Sequence, residues 1–310
     1  HSTTQKVTAA TLLVALGIIY GDIGTSPLYV MKAIVDKRAI SELLVYGGIS
    51  CVFWTLTFQT TFKYIILTLN ADNHGEGGVF SLYALVKRFG KGRLVIPTIL
   101  GAATLLADGI ITPPISVASA VEGLEVVIPD IPTIPIVIAI LSGIFLFQRF
   151  GTQKVGFFFG PAMVIWFSML FVLGFFQIIK HPEILKCLNP MYAYRLLVEY
   201  PHGFWLLGAV FLCTTGAEAL YSDLGHCGKN NIRITWVFVK ICLVTNYLGQ
   251  GAWLMSEQNN LLAGRNPFFK IMPDWFLLFG IAIATMAAII ASQALISGSF
   301  TLINEAISLN

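Results

Sequence analysis

Eight apolar segments follow one another along this chain, and most of them are long enough to cross a lipid bilayer. A membrane-spanning helix needs about 20 residues to cross a hydrocarbon core about 30 Å thick. Apolar residues make up 56% of the sequence and charged residues only 11%, whereas soluble proteins average about 25% charged residues. We therefore predict an all-α polytopic membrane protein with segments at 8–34, 45–69, 94–121, 134–147, 157–179, 204–224, 234–255 and 275–297.

Charge and cysteine content exclude several other classes of protein. The net charge of +3 is small and dispersed, and no block of like charges provides a surface for nucleic acid. The five cysteines form no C-x-x-C pair, so we interpret them as small apolar residues. We expect membrane lipid, and no nucleic acid, among the partners.

Three acidic residues lie inside the apolar segments: Asp22, Asp108 and Glu218. No Lys or Arg shares the central part of these segments. An ionised carboxylate in hydrocarbon must be protonated, be paired or face a water-filled cavity, so such acids indicate a functional site. The pattern favours a cation that comes from outside the protein, and therefore a cation transporter rather than an enzyme.

The first and sixth segments contain residues that interrupt a helix. The run 21–27 reads GDIGTSP, and the run 213–218 reads CTTGAE. Gly costs about 1 kcal/mol and Pro about 3 kcal/mol relative to Ala inside a helix. Segments five spans apart cross the membrane in opposite directions, which is typical of inverted-repeat transporters with broken helices at the substrate site. We expect a single transmembrane domain over 1–310, with a first five-helix repeat at 8–179 and an incomplete inverted repeat at 204–310.

The third segment places oxygen atoms along one helical face. Asp108, Thr112 and Ser116 are spaced i, i+4, i+8, so their side chains follow one stripe. Pro113 and Pro114 interrupt the hydrogen-bond ladder beside that stripe and free carbonyl groups. Oxygen ligands suit hard cations, and the scarcity of His and Cys at ligand spacing argues against zinc or copper.

Four motifs resemble those of the KUP/HAK/KT potassium uptake transporters. They are GDIGTSPLY at 21–29, ADNHGEGG at 71–78, LADGIITP at 106–113 and TGAEALYSDLGH at 215–226. The resemblance extends across nearly the whole chain, although Cys227 stands where the family is expected to have an aromatic residue. It implies a LeuT-like fold of the amino acid, polyamine and organocation superfamily, and proton-coupled potassium uptake by alternating access at the plasma membrane.

The resemblance also implies an ion site and its substrates. Potassium and a proton are the expected substrates, and no cofactor is expected. Glu218 is the expected proton-coupling residue. The potassium ligands carried over from the family are Asp22, Tyr29, Asp108, Thr112, Ser116 and Thr215.

Other interpretations of these residues remain open. Asp22 and Asp108 also suit carboxylates that cap freed backbone N–H groups, and Thr112, Ser116 and Thr215 also suit hydroxyls bonded to their own helix. An amino acid transporter of the same superfamily is the main alternative function, and an intramembrane aspartyl protease is a remote one. The inverted-repeat scheme needs two more core spans after the eighth, so we expect the chain to be truncated. A homodimer contact, if the protein forms one, is expected in the missing C-terminal region.

Overall fold

The computed structural model describes residues 6–90, 93–148 and 153–308, and within these ranges it contains helices and no β-strand. The helices of the first half are α1 Ala9–Ile19, α2 Gly21–Thr25, α3 Val30–Val35, α4 Glu42–Thr55, α5 Val79–Gly90, α6 Val95–Val121, α7 Gly123–Val127 and α8 Thr133–Gln148. Those of the second half are α9 Gln153–Lys180, α10 Pro190–Glu199, α11 Leu207–Phe211, α12 Ala219–Ser222, α13 Leu224–Cys227, α14 Lys229–Ser256, α15 Pro267–Lys270 and α16 Asp274–Ser308.

The apolar helices confirm a polytopic membrane protein. In the described part of the chain, six helical stretches are long and apolar enough to cross a membrane: Glu42–Asn70, Val95–Val127, Phe158–Lys180, Gly203–Ser222, Lys229–Ser256 and Asp274–Asn304. Ala9–Ile19 and Gly21–Leu28 add a seventh span if these two bent parts are counted together. These spans agree with seven of the eight predicted segments, and the fourth segment forms the shorter apolar helix Thr133–Leu146.

Capping residues set where several helices begin. The Thr8 side chain accepts a hydrogen bond from the backbone N–H of Thr11 at the start of α1, and Ser41 accepts one from Leu44 at the start of α4. Such side chains satisfy N–H groups that have no partner within the helix. The polar residues Thr8 and Ser41 thus determine the first turns of α1 and α4.

Close packing between spans relies on small residues. Helix α9 packs against α1, α14 and α16, while α16 packs along α6 and against α2. Gly174 in α9 faces Gly249 in α14, where an added Cβ would lie 2.8 Å from the Gly174 carbonyl oxygen. Membrane helices commonly associate through such residues because they let backbones approach closely. This arrangement brings the broken first span between α6, α9, α14 and α16.

Candidate cation-binding site

The first span bends sharply where its sequence contains glycines and a proline. The axes of Ala9–Ile19 and Gly21–Leu28 differ by 69°. A 3₁₀ turn at Ser26–Leu28 then separates α2 from α3. Asp22 is buried in the first turn of α2, and neither of its carboxylate oxygens has a hydrogen-bond partner among the residues described.

The sixth span is also broken. Helix α11 ends in a 3₁₀ turn at Leu212–Thr214, and Thr215 continues in an extended conformation with ψ 132°. Gly216 then has φ +83°, a left-handed conformation that glycine adopts readily. A Cβ at Gly216 would lie 2.6 Å from both Cβ and Oδ2 of Asp22. The break in the sixth span therefore packs directly against the Asp22 side chain.

The predicted stripe on the third span is present on α6. The Thr112 hydroxyl donates to Asp108 Oδ1 at 2.7 Å, whereas Asp108 Oδ2 is buried without a partner in the described ranges. Ser116 lies 3.2 Å from the Thr25 hydroxyl of the first span. Pro113 and Pro114 lie within a continuous helix, where their missing N–H groups cannot bond the carbonyls four residues earlier.

The three intramembrane acids meet in space. One carboxylate oxygen from each of Asp22, Asp108 and Glu218 lies within 4.8 Å of the other two. Across the described ranges, no ion pair joins any of them to a basic side chain. Like charges at this separation repel strongly in a low dielectric, so the cluster needs a proton or a cation. Several carboxylates around a common point form a ligand set suited to a hard cation.

Tyr29 and Thr215 lie beside the two breaks, but no hydrogen bond in the described residues joins either side chain to the three acids. Tyr29 is buried, with its hydroxyl 3.4 Å from the Ser26 hydroxyl. Ser26 in turn donates to the Leu212 carbonyl at 3.2 Å, which links the first break to the sixth. Thr215 is half-buried directly before Gly216.

Thr25 and Ser26 also lie at this site, although the sequence patterns do not single them out. The Thr25 hydroxyl lies 2.9 Å from the Asp22 carbonyl and 3.2 Å from Ser116. Ser26 joins the two breaks. The signal that could have indicated them is their position in the broken run that also contains Asp22.

Two sets of contacts join different spans on opposite sides of the acids. On one side Lys32 pairs with Glu122, and Glu122 also accepts from Asn266 at 3.3 Å. The first and second spans cross the membrane in opposite directions. The loop that follows the second span therefore lies on the membrane side opposite to Lys32. There the Tyr221 hydroxyl donates to the Ala71 carbonyl at 2.6 Å.

The fold and the unpaired acids together define a multi-pass membrane protein with a polar centre between broken helices. The family model described as the integral membrane domain of K+ potassium transporters matches residues 9–310, and the chain belongs to that family. The chain is 65% identical over 99% of its length to the probable potassium transport system protein Kup of Cytophaga hutchinsonii, and covers 47% of that protein.

Other relatives agree with this assignment. The proteins of the same description from Flavobacterium psychrophilum and Clostridium perfringens are 61% and 51% identical over the whole chain, which covers 48% and 49% of them. The chain thus spans about half the length of the curated relatives it matches. No solved structure matches it. The family is named for transport and not for an enzymatic activity. Membership in it, together with the apolar helices of this chain, makes this a multi-pass protein of the plasma membrane.

Proposed function

We propose that the protein takes up potassium across the plasma membrane. The observation that carries this proposal is the meeting of Asp22, Asp108 and Glu218 within 4.8 Å of one another, without a basic partner in the described residues. An external cation removes the electrostatic cost of this cluster. The relatives named as probable potassium transport proteins support potassium as that cation.

The proposed site holds one dehydrated potassium ion between Asp22 and Asp108. Thr112, Ser116, Thr215 and the Tyr29 hydroxyl complete the shell, together with backbone carbonyls. Two carboxylates around one monovalent ion leave excess negative charge, which a proton or the positive end of a helix offsets.

The proposed mechanism is proton-coupled symport by alternating access. The 69° bend in the first span and the break at Gly216 support a LeuT-like inverted-repeat fold, since such transporters bind substrate between discontinuous helices. In this scheme 8–179 forms the first repeat and 204–310 begins the second. Potassium and protons are the substrates and lipid is the surrounding partner. The mechanism needs no cofactor, and a homodimer is compatible with it.

The two alternative functions fit the site less well. An amino acid transporter must accept a substrate carboxylate at the first break, where both Asp22 oxygens lack a hydrogen-bond partner among the described residues and would repel it. An aspartyl protease needs two aspartates that share a proton, and it has no role for Glu218 or for two broken helices. Potassium transport uses all of these features.

The first test is Asp108→Asn, which keeps the shape of the side chain and an acceptor for Thr112 but removes the charge. Losing one charged ligand is expected to weaken rubidium binding about tenfold or more. Radiolabelled rubidium uptake into proteoliposomes measures this, with Asp130→Asn as the control. Asp130 is exposed and has φ +63°, a conformation that Asn accepts. Normal affinity and rate in Asp108→Asn would show that the potassium site lies elsewhere. Displacement of rubidium by amino acids would favour the amino acid transporter.

A second test concerns the proton. Glu218→Gln keeps a polar side chain of the same size but cannot release a proton. We expect rubidium binding to stay measurable, while rubidium uptake no longer responds to an imposed proton gradient. Proton-driven uptake equal to that of the parent protein would remove Glu218 from the coupling role.

A further inference from the structure

Three backbone carbonyls of the first break accept hydrogen bonds from buried side chains of other elements. The bonds are Trp166 Nε1 to Gly24 O at 3.0 Å, Gln250 Nε2 to Pro27 O at 2.9 Å, and Asn266 Nδ2 to Leu28 O at 2.8 Å. All three carbonyls lie between Asp22 and Tyr29 in the chain. The conformation of the break is therefore fixed from outside, by α9, by α14 and by the residue that precedes α15.

The Gln250 side chain is itself oriented by a further polar residue. Its Nε2 also donates to Asn246 Oδ1 at 2.8 Å, and Asn246 Nδ2 donates to the Leu170 carbonyl at 3.1 Å. Both neighbours of the Gln250 amide nitrogen are acceptors, so reversing the amide would place oxygen against oxygen twice. A buried polar chain thus runs from the fifth span, through the seventh, to the first break.

The surroundings of the Gln250 amide oxygen indicate that the residue has more than a purely stabilising role. Its amide oxygen Oε1 is buried and has no hydrogen-bond partner among the described residues. A buried acceptor without a partner is unfavourable, and an apolar residue of the same shape would avoid that cost. The contribution of Gln250 therefore comes from its amide nitrogen, which donates to the Pro27 carbonyl and to Asn246 Oδ1.

We propose that Gln250, oriented by Asn246, is a positioning residue that sets the ion specificity of the first break. This inference rests on the proposed potassium site. Pro27 lies between Asp22 and Tyr29, and discrimination between potassium and the smaller sodium ion depends on the number and field strength of the oxygens and on how far they can contract. Holding the Pro27 carbonyl keeps the break from closing around a smaller ion.

The test is Gln250→Met in the full-length protein, with Gln258→Met as the matched control at an exposed position beyond the end of α14. Rubidium uptake into proteoliposomes gives KM and maximal rate, and competition with sodium gives the specificity. We expect Gln250→Met to raise the KM for rubidium and to lower the preference for rubidium over sodium by about threefold to tenfold, the range expected for one lost hydrogen bond. Gln258→Met should change neither.

A double-mutant cycle separates positioning from general loosening. Asn246→Leu removes the acceptor that orients Gln250 and should shift specificity in the same direction. The double variant should shift it no further than Gln250→Met alone, because both changes act through one amide. Additive effects would show that the two residues act independently, which would contradict the proposal that Asn246 acts by orienting Gln250.

The outcomes separate this inference from the proposed function. A parent protein that binds no rubidium contradicts the proposed function, whereas a parent that binds it and a Gln250→Met variant with unchanged specificity contradict this inference alone. If Gln250→Met does not accumulate as folded protein, Gln250→Glu and Asn246→Leu are judged by the same specificity ratio. Failure of all three variants to fold would show that Gln250 and Asn246 have only a structural role and would overturn the proposal.

Discussion

At the scale of single residues, Gly216 shows how the site and the break in the backbone depend on each other. Its φ of +83° is a conformation that glycine adopts readily. A Cβ at this position would lie 2.6 Å from Asp22 Oδ2, so the absence of a side chain leaves room for the carboxylate. A larger residue would strain the backbone and displace a proposed ion ligand together. The break in the sixth span is therefore part of the site.

Gly216→Ala should weaken rubidium binding by about tenfold or more, because the added Cβ would displace the Asp22 carboxylate and a loss of about 1.4 kcal/mol of ion–ligand interaction is tenfold in affinity. Equilibrium binding of radiolabelled rubidium to purified protein measures the change. Gly264→Ala is the matched control, since Gly264 has φ +77° but no described atom within 4 Å of an added Cβ. An equal loss in both variants would attribute the effect to backbone strain and not to Asp22.

Much of this site could be predicted from local sequence patterns. The helical spacing of Asp108 and Thr112 predicts that they share one face, and their hydroxyl and carboxylate are bonded at 2.7 Å. Contacts between distant segments could not be predicted in this way. The bond from Gln250 to the Pro27 carbonyl joins residues 223 positions apart, and no periodicity within either segment indicates which helix faces which.

At the scale of helices, composition predicted where the spans lie but not their irregular parts. The second span changes from α4 to a π-helix at Leu56–Leu67 and a 3₁₀ turn at Thr68–Asn70, although its sequence is as apolar as a regular helix. The amphipathic helix α5 was not predicted either. Within this π-helix the Thr61 hydroxyl accepts hydrogen bonds from Lys240 and Trp236 of α14 at 3.0 Å, contacts that a local sequence pattern does not indicate.

The two broken spans, by contrast, were predicted because the cost of Gly and Pro in a helix is a local property. The structure moves the sharpest bend to Tyr20, one residue before the glycine-rich run. It also keeps α6 continuous through Pro113 and Pro114. Proline alone therefore does not determine where a span breaks.

At the scale of the whole molecule, the acids lie between two sets of contacts on opposite sides. Lys32, Glu122 and Asn266 connect the first span, the third span and the loop before α15 on one side. On the other side the loop 71–78 packs against the sixth span, where an added Cβ on Gly77 would lie 2.9 Å from the Tyr221 carbonyl carbon and closer still to its oxygen. The proposed alternating access requires each of these two sets of contacts to open separately.

A substitution at Gly77 should therefore loosen only the contact between the loop 71–78 and the sixth span. Gly77→Ala should push the loop 71–78 away from the sixth span, because the added Cβ would collide with the backbone of Tyr221 and not with the end of a flexible side chain. Hydrogen–deuterium exchange should become faster in 71–78 while the amides of α14 stay protected, since exchange reports local opening. Gly208→Ala, in the sixth span, is the control, because no described atom lies within 4 Å of its added Cβ. Unchanged exchange in 71–78 would mean that this loop does not close the site, and faster exchange throughout the protein would mean that the two sides are not independent.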